Sequence, residues 1–190
     1  MRSPFFFIVK PLEGKRYNNT KELSGTEFIT STSEENHMAS NRIGIVESTP
    51  IDYAGPIKPG DELLVHHNVF KYYNDMKGRQ RSGRSFFRDD LFFIENDQFY
   101  MYKQNGDWHC HDRYCFIKPV AKEESFLYKN FKDEPLVGLV KYANNYLKSQ
   151  GVNSGDKITF KPDSEYEFEV DTYEVRRIKN TNNKCRKKSC

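Results

Sequence analysis

Three short blocks of this sequence occur twice, in the same order. Phe7-Ile8-Val9-Lys10-Pro11-Leu12 returns as Cys115-Phe116-Ile117-Lys118-Pro119-Val120, an offset of 108 residues. Ile43-Gly44-Ile45-Val46 returns as Val137-Gly138-Leu139-Val140 at an offset of 94, and the run from Ile57 to Val65 returns as Val152 to Phe160 at 95. The offset falls because the second copy has a shorter segment after its first block. Ordered recurrence predicts a duplication with a loop deletion; the alternative is two unrelated β segments that share turn chemistry.

The blocks read as turn and strand. Pro59-Gly60-Asp61 and Ser154-Gly155-Asp156 are turn clusters, each followed by a β-branched and aliphatic run. From Glu165 to Val170 charged and apolar residues alternate at period two, the pattern of a strand with one wet face. Aromatic residues supply 15% of the chain against 36% for all hydrophobic types, so the core relies on Phe and Tyr, which favours strands. Only Val140 to Gln150 reads as a turn or short helix. The sequence therefore predicts an all-β protein of two units, residues 1–107 and 108–190.

Several function classes lose ground here. No run approaches the roughly 20 apolar residues of a membrane helix, and Phe5 to Val9 is cut off by Lys10-Pro11, so neither a span nor a signal peptide is expected. Cys110, Cys115, Cys185 and Cys190 form two loose pairs, which fits a reducing cytoplasm. The net charge of +3 is too small to make the whole surface a polyanion trap. Positive charge concentrates in the tail Lys184-Cys185-Arg186-Lys187-Lys188, read as solvated, and in an insertion, Met76 to Asp90. That insertion carries Lys77, Arg79, Arg81, Arg84 and Arg88 and reads as an exposed hairpin or loop with no required partner.

With these blocks in place, the first copy resembles the GroES-type co-chaperonins. The resemblance runs through Ile8-Val9-Lys10-Pro11, the segment Glu13 to Ser24, Phe28-Ile29-Thr30, Gly44-Ile45-Val46, Pro59-Gly60-Asp61 to Val65, and Leu91 to Tyr100 as the last edge strand. The second copy is similar from Cys115 to about Cys185, with a short loop between Val120 and Leu136 and a terminal block, Arg177 to Asn183, poor in apolar residues. The tandem arrangement is similar to GroES-like proteins encoded by tailed bacteriophages. The resemblance implies two small GroES-like β-barrel units with long loops.

It also implies a site. In that family the loop after the first strand is disordered when free and docks an apolar triplet on the chaperonin. Here the loop is about residues 13–42, polar enough that it should be mobile, and its apolar island gives the partner-binding residues Leu23, Phe28, Ile29 and Thr30. The alternative for Phe28-Ile29 is an ordinary strand packed on the barrel. One such loop would bind weakly, so the mechanism requires a homo-oligomer that presents several.

No phosphate loop, nucleophile motif or metalloprotease helix occurs, and neither enzyme activity nor a cofactor is expected. Around Trp108 to Cys115, His109 and His111 share a strand face while Cys110 points away, which matches no standard zinc spacing; a site completed by His66 or His67 is the alternative. The leading expectation is a lid for a GroEL-type chaperonin ring, acting in the cytoplasm (the host's, if phage-encoded). The runner-up is a viral capsid or tail component that reuses the fold in a virion. Single-stranded nucleic-acid binding through Tyr72, Tyr73, Phe86, Phe87 and the nearby arginines ranks third, so nucleic acid is an unlikely partner.

Overall fold

The computed structural model describes residues 1–17, 20–23, 26–29, 39–111, 114–121, 133–162, 164–170, 173–179 and 186–187. These residues are mainly strand, and the chain divides into two compact units, Met1–Asp107 and Trp108–Cys190.

The first unit contains β1 (Phe7–Pro11), β2 (Thr20–Leu23), β3 (Thr26–Ile29), β4 (Ile43–Ser48), β5 (Glu62–Val65), β6 (Tyr72–Asn74), β7 (Gln80–Ser82), β8 (Phe86–Arg88), β9 (Leu91–Ile94) and β10 (Phe99–Gln104). The unit boundary falls in β11 (Asp107–Cys110). The second unit continues with β12 (Tyr114–Ala121), β13 (Asp133–Tyr142), α1 (Asn145–Ser149), β14 (Lys157–Thr159), β15 (Glu165–Val170), β16 (Tyr173–Lys179) and β17 (Arg186–Lys187).

The two sheets repeat one strand order. Six of the seven strands of the first run β8-β9-β1-β4-β5-β10, and the six of the second run β15-β16-β12-β13-β14-β17. The register repeats too: Val9 faces Val46 and Pro11 faces Gly44, while Ile117 faces Val140 and Pro119 faces Gly138. Each first strand carries an irregularity at the same place, Ile8/Val9 and Phe116/Ile117. On the other side Gly44 faces Leu63, and Gly138 faces Ile158.

The turns before β5 and β14 match bond for bond. Gly60 N donates to Val46 O at 2.8 Å and Gly155 N to Val140 O at 2.8 Å; Val46 N donates to Asp61 O and Val140 N to Asp156 O, both at 2.9 Å. The Asp61 carboxylate accepts from Lys58 N at 2.7 Å, and the Asp156 carboxylate from Asn153 N at 2.9 Å. Gly60 and Gly155 have φ of +95° and +92°, a conformation that costs an L side chain roughly 1–2 kcal/mol. This explains the Gly-Asp pair at both sites: glycine supplies the turn and the carboxylate satisfies its open amide.

The glycines of β4 and β13 have a different cause. A methyl group on Gly44 would stand 3.2 Å from Phe70 Cζ and 3.3 Å from Val9 Cγ2, and one on Gly138 would fall on the Ile117 side chain. Each sheet thus needs a missing side chain where a buried β-branched residue crosses the neighbouring strand.

The core of the first unit gathers Phe7, Val9, Val46, Ile57, Leu63, Val65, Val69, Phe70, Phe92, Ile94 and Phe99, with Phe7 edge-on to both Tyr53 and Phe99. The second core holds Cys115, Ile117, Val140, Ala143, Leu147, Val152, Ile158 and Phe160. By the register above, Cys115 takes the place of Phe7 and Phe160 that of Val65, so the ring lost at one position is regained at another. Summed over these two positions the side-chain volume changes little, the kind of exchange cores tolerate best. Leu147 comes from α1, capped by Asn144, whose side chain accepts from Leu147 N at 2.8 Å.

Three expectations need correction. The resemblance implies β-barrel or half-barrel units, but among the described residues each sheet is open rather than closed into a barrel, with β8 and β15 pairing with a single neighbour; β8 spans three residues and its register slips between Phe86 and Arg88, which leaves a poor edge for closure. Leu91 to Tyr100 is two strands: Gln98 N donates to Glu95 O at 3.0 Å across a turn, and β9 lies inside the sheet beside β1. The polar segment of about 13–42, expected to be mobile, with a strand as the alternative for Phe28-Ile29, contains the β2–β3 hairpin among its described residues, with Thr20 opposite Ile29 and Leu23 opposite Thr26. The basic tail, read as solvated, contributes β17, whose backbone pairs with Ile158 and Thr159.

Candidate functional site

The segment from β1 to β4 leaves and re-enters the first sheet through a narrow neck. After Pro11 the chain makes a 3-10 turn, Leu12–Gly14, in which Glu13 and Gly14 have φ of +58° and +68°. A non-glycine residue in this region is strained and must be held by its surroundings. The hold comes from Asn41, which is buried. Its amide Nδ2 donates to Leu12 O at 3.0 Å and Lys15 O at 2.8 Å, its Oδ1 accepts from Ile43 N at 2.9 Å, and its backbone N donates to Arg16 O at 2.8 Å. One side chain thereby fastens the outgoing strand to the returning one, and Tyr17 and Ser40 form the next bridge outward.

Arg16 and Tyr17 tie the neck to the β6–β7 hairpin. The Arg16 guanidinium lies 4.2 Å from the Tyr72 ring centre, 4.7 Å from Phe92 and 5.0 Å from Phe86, and Nη1 donates to Ser82 Oγ at 3.0 Å. A cation among three rings is held by their electron-rich faces. Tyr17 stacks on Tyr72 with centroids 6.0 Å apart, and its hydroxyl accepts from Tyr72 N at 2.8 Å. The long segment and the basic hairpin therefore rise from one shared base.

The sequence-derived binding residues are placed only in part. Leu23 stands at the end of β2 and Phe28 and Ile29 at the end of β3; Phe28 pairs with Lys21 and Ile29 with Thr20, so the two neighbours take alternate positions in the ladder. Thr30 lies outside the described residues, as do 18–19, 24–25 and 31–38 of the same segment. Neither Asn41 nor Arg16 was singled out from the sequence. The signal for Asn41 was local: an Asn two residues before the first apolar residue of a strand can cap that residue's amide, as here.

The remaining sequence clusters do different work. His66 and His67 stack at 4.1 Å, and His66 Nδ1 accepts from Asn68 N at 3.1 Å. Among the described residues no group of three or more His, Cys, Asp or Glu side chains could hold a metal ion. Cys110 and Cys115 are buried free thiols, and burial pushes the Cys110 thiol well above its ordinary range. Of the four aromatics considered for base stacking, Tyr72 and Phe86 surround Arg16, Phe87 packs on Phe93 at 4.5 Å, and Tyr73 stands in solvent.

No family model, curated protein or solved structure matches this chain. No helix among the described residues is long and apolar enough to cross a membrane.

Proposed function

We propose that this protein acts by docking, as a co-chaperonin-like lid: the segment between β1 and β4 binds a GroEL-type chaperonin ring while a client folds, without ATP chemistry of its own. The observation that carries this reading is the Asn41 neck. It fixes both ends of a long polar segment to a rigid sheet, and the segment occupies the position of the docking loop in the family the sequence resembles. Leu23, Phe28, Ile29 and Thr30 are the proposed contact residues, and the cytoplasm is the proposed compartment.

The magnitudes require a ring. Each buried large apolar side chain contributes roughly 1.5–3 kcal/mol, and ordering a loop on binding costs roughly 2–5 kcal/mol. One chain then binds weakly, while several on a symmetric oligomer bind tightly through effective concentration. The test is capture of the protein by a purified chaperonin with and without ATP, using the native chain and a Phe28→Ser/Ile29→Ser variant. ATP-dependent capture of the native chain, lost in the variant at unchanged melting temperature, is expected.

A second reading, a viral structural component, is favoured by one surface. Phe5 is 80% exposed and leads through Phe6 to Phe93 and Phe87, with successive ring centroids at 6.4, 5.6 and 4.5 Å beside the edge strand β8. Absence of chaperonin capture under either condition, together with a stable oligomer that Phe5→Ser dissociates, would put this reading first.

A further inference from the structure

The β6–β7 hairpin has two unlike faces. Its ladder pairs Tyr72 with Ser82, Tyr73 with Arg81 and Asn74 with Gln80. Tyr72 and Ser82 turn toward Arg16 and Tyr17 at the neck. Strand alternation then puts Tyr73, Arg79 and Arg81 together on the other face, and all three are exposed, Tyr73 at 53%. Lys77 adds a cation at the exposed tip.

Charge is concentrated here. Residues 71–84 hold five Lys and Arg and one carboxylate, a formal +4 against +3 for the whole chain, so the rest sums to −1. The one carboxylate, Asp75, is occupied by the turn: it accepts from Lys77 N and Arg79 N, both at 2.9 Å, and from Arg81 Nε at 3.4 Å. Gly78, at φ +70°, completes a tight three-residue loop with Asp75 N bonded to Arg79 O. The side chains of Lys77 and Arg79 make no hydrogen bond or ion pair with the described residues, and the Tyr73 ring stacks on nothing among them. The outer face is thus rigidly backed, positively charged and furnished with one free aromatic plane beside its arginines.

We propose that this outer face binds single-stranded nucleic acid, with Lys77, Arg79 and Arg81 on phosphates and Tyr73 stacked on a base. Cations alone would suit any polyanion. The bare ring on the same face selects an unpaired base, because stacking needs a π-face that neither a duplex exterior nor an acidic peptide offers. The inference does not depend on the lid reading.

The experiment is fluorescence anisotropy of a labelled oligothymidylate with the full chain across a salt series. Three phosphate contacts give a slope of log affinity against log salt of about −2, a loss of about 15-fold between 50 and 200 mM. Lys77→Ala/Arg79→Ala should flatten the slope by about two-thirds, and Tyr73→Ala should weaken binding by roughly tenfold while leaving the slope unchanged. Circular dichroism of each variant confirms the fold. Absence of binding at low salt overturns the proposal. So does equal binding of polyglutamate or of a duplex of the same length with no effect of Tyr73→Ala, which would make the hairpin a general polyanion surface.

Discussion

The side-chain amide of Asn41 donates to the carbonyl oxygen of Lys15 at 2.8 Å, across 26 residues of sequence, and so closes the base of the segment that the first sheet presents. Replacing Asn41 with Ala leaves two carbonyls and the Ile43 amide without this partner. The expected cost is roughly 1–3 kcal/mol in urea denaturation, with faster hydrogen exchange confined to residues 12–17 and 39–43. Asn41→Asp should be no better, since a carboxylate cannot donate to Leu12 O and Lys15 O.

Gly138→Ala should destabilise the second unit by roughly 1–3 kcal/mol, the usual range for overpacking. The nearest obstacle is Ile117 Cδ1, so Ile117→Val removes it. A double-mutant cycle in thermal unfolding should show the two substitutions coupled, with Gly138→Ala costing less when Val stands at 117.

Gly60→Ala and Gly155→Ala should each cost about 1–2 kcal/mol, because both force an alanine into the left-handed region. Near-equal effects in denaturant titrations are expected, since the hydrogen bonds around the two glycines agree so closely.

Asp75 gives the basic hairpin a pH dependence. The hydrogen bond from Arg79 N, with those from Lys77 N and Arg81, holds its carboxyl below the ordinary aspartate value of 3.8. A lowered folded-state pKa means that the carboxylate's stabilising contribution is fully present above the unfolded value and is lost as pH falls through the folded one. Two-dimensional NMR of the Lys77 and Arg79 amides should therefore show their shifts constant from neutral pH down to about 4, then titrating together. Asp75→Asn should abolish that transition.

Cys110 should resist alkylation in the native protein at neutral pH. Its sulfur is buried, contacts Tyr142 O at 3.2 Å, and has its thiol form favoured by burial. Iodoacetamide labelling followed by mass spectrometry should modify Cys110 and Cys115 only when denaturant is added.

What the sequence made legible was what neighbouring residues decide. Pro59-Gly60-Asp61 and Ser154-Gly155-Asp156 announce their turns because glycine and carboxylate act within three residues, and Glu165 to Val170 announces β15 because alternation is local. The short helix α1 follows from Asn144 capping Leu147. The neck was not legible, because Asn41 answers carbonyls 26 and 29 residues away and nothing near it in sequence names them. The basic insertion, residues 76–90, reads as an exposed hairpin or loop, but the hairpin is β6–β7 and begins earlier, at Tyr72, while residues 86–88 form β8 of the main sheet; nor were the hairpin's two faces legible, since Arg16 and Tyr17 decide which one turns inward. The openness of the sheets depends on strand pairing at their edges, which no local pattern encodes.

The repeated register has a consequence for how the chain finds its structure. Strands β1 and β12 offer the same Lys-Pro step and the same slot for a glycine, so while both units are unfolded β1 can meet β13, and β12 can meet β4, in a ladder that is locally satisfactory. Segments this alike on one chain, or on two chains at high concentration, invite exchange. Refolding from denaturant should accordingly contain a slow phase and a concentration-dependent dimer, and both should vanish when Met1–Asp107 and Trp108–Cys190 are refolded in separate vessels. The difference in their loops, long in one unit and short in the other, is then also what lets the chain sort itself.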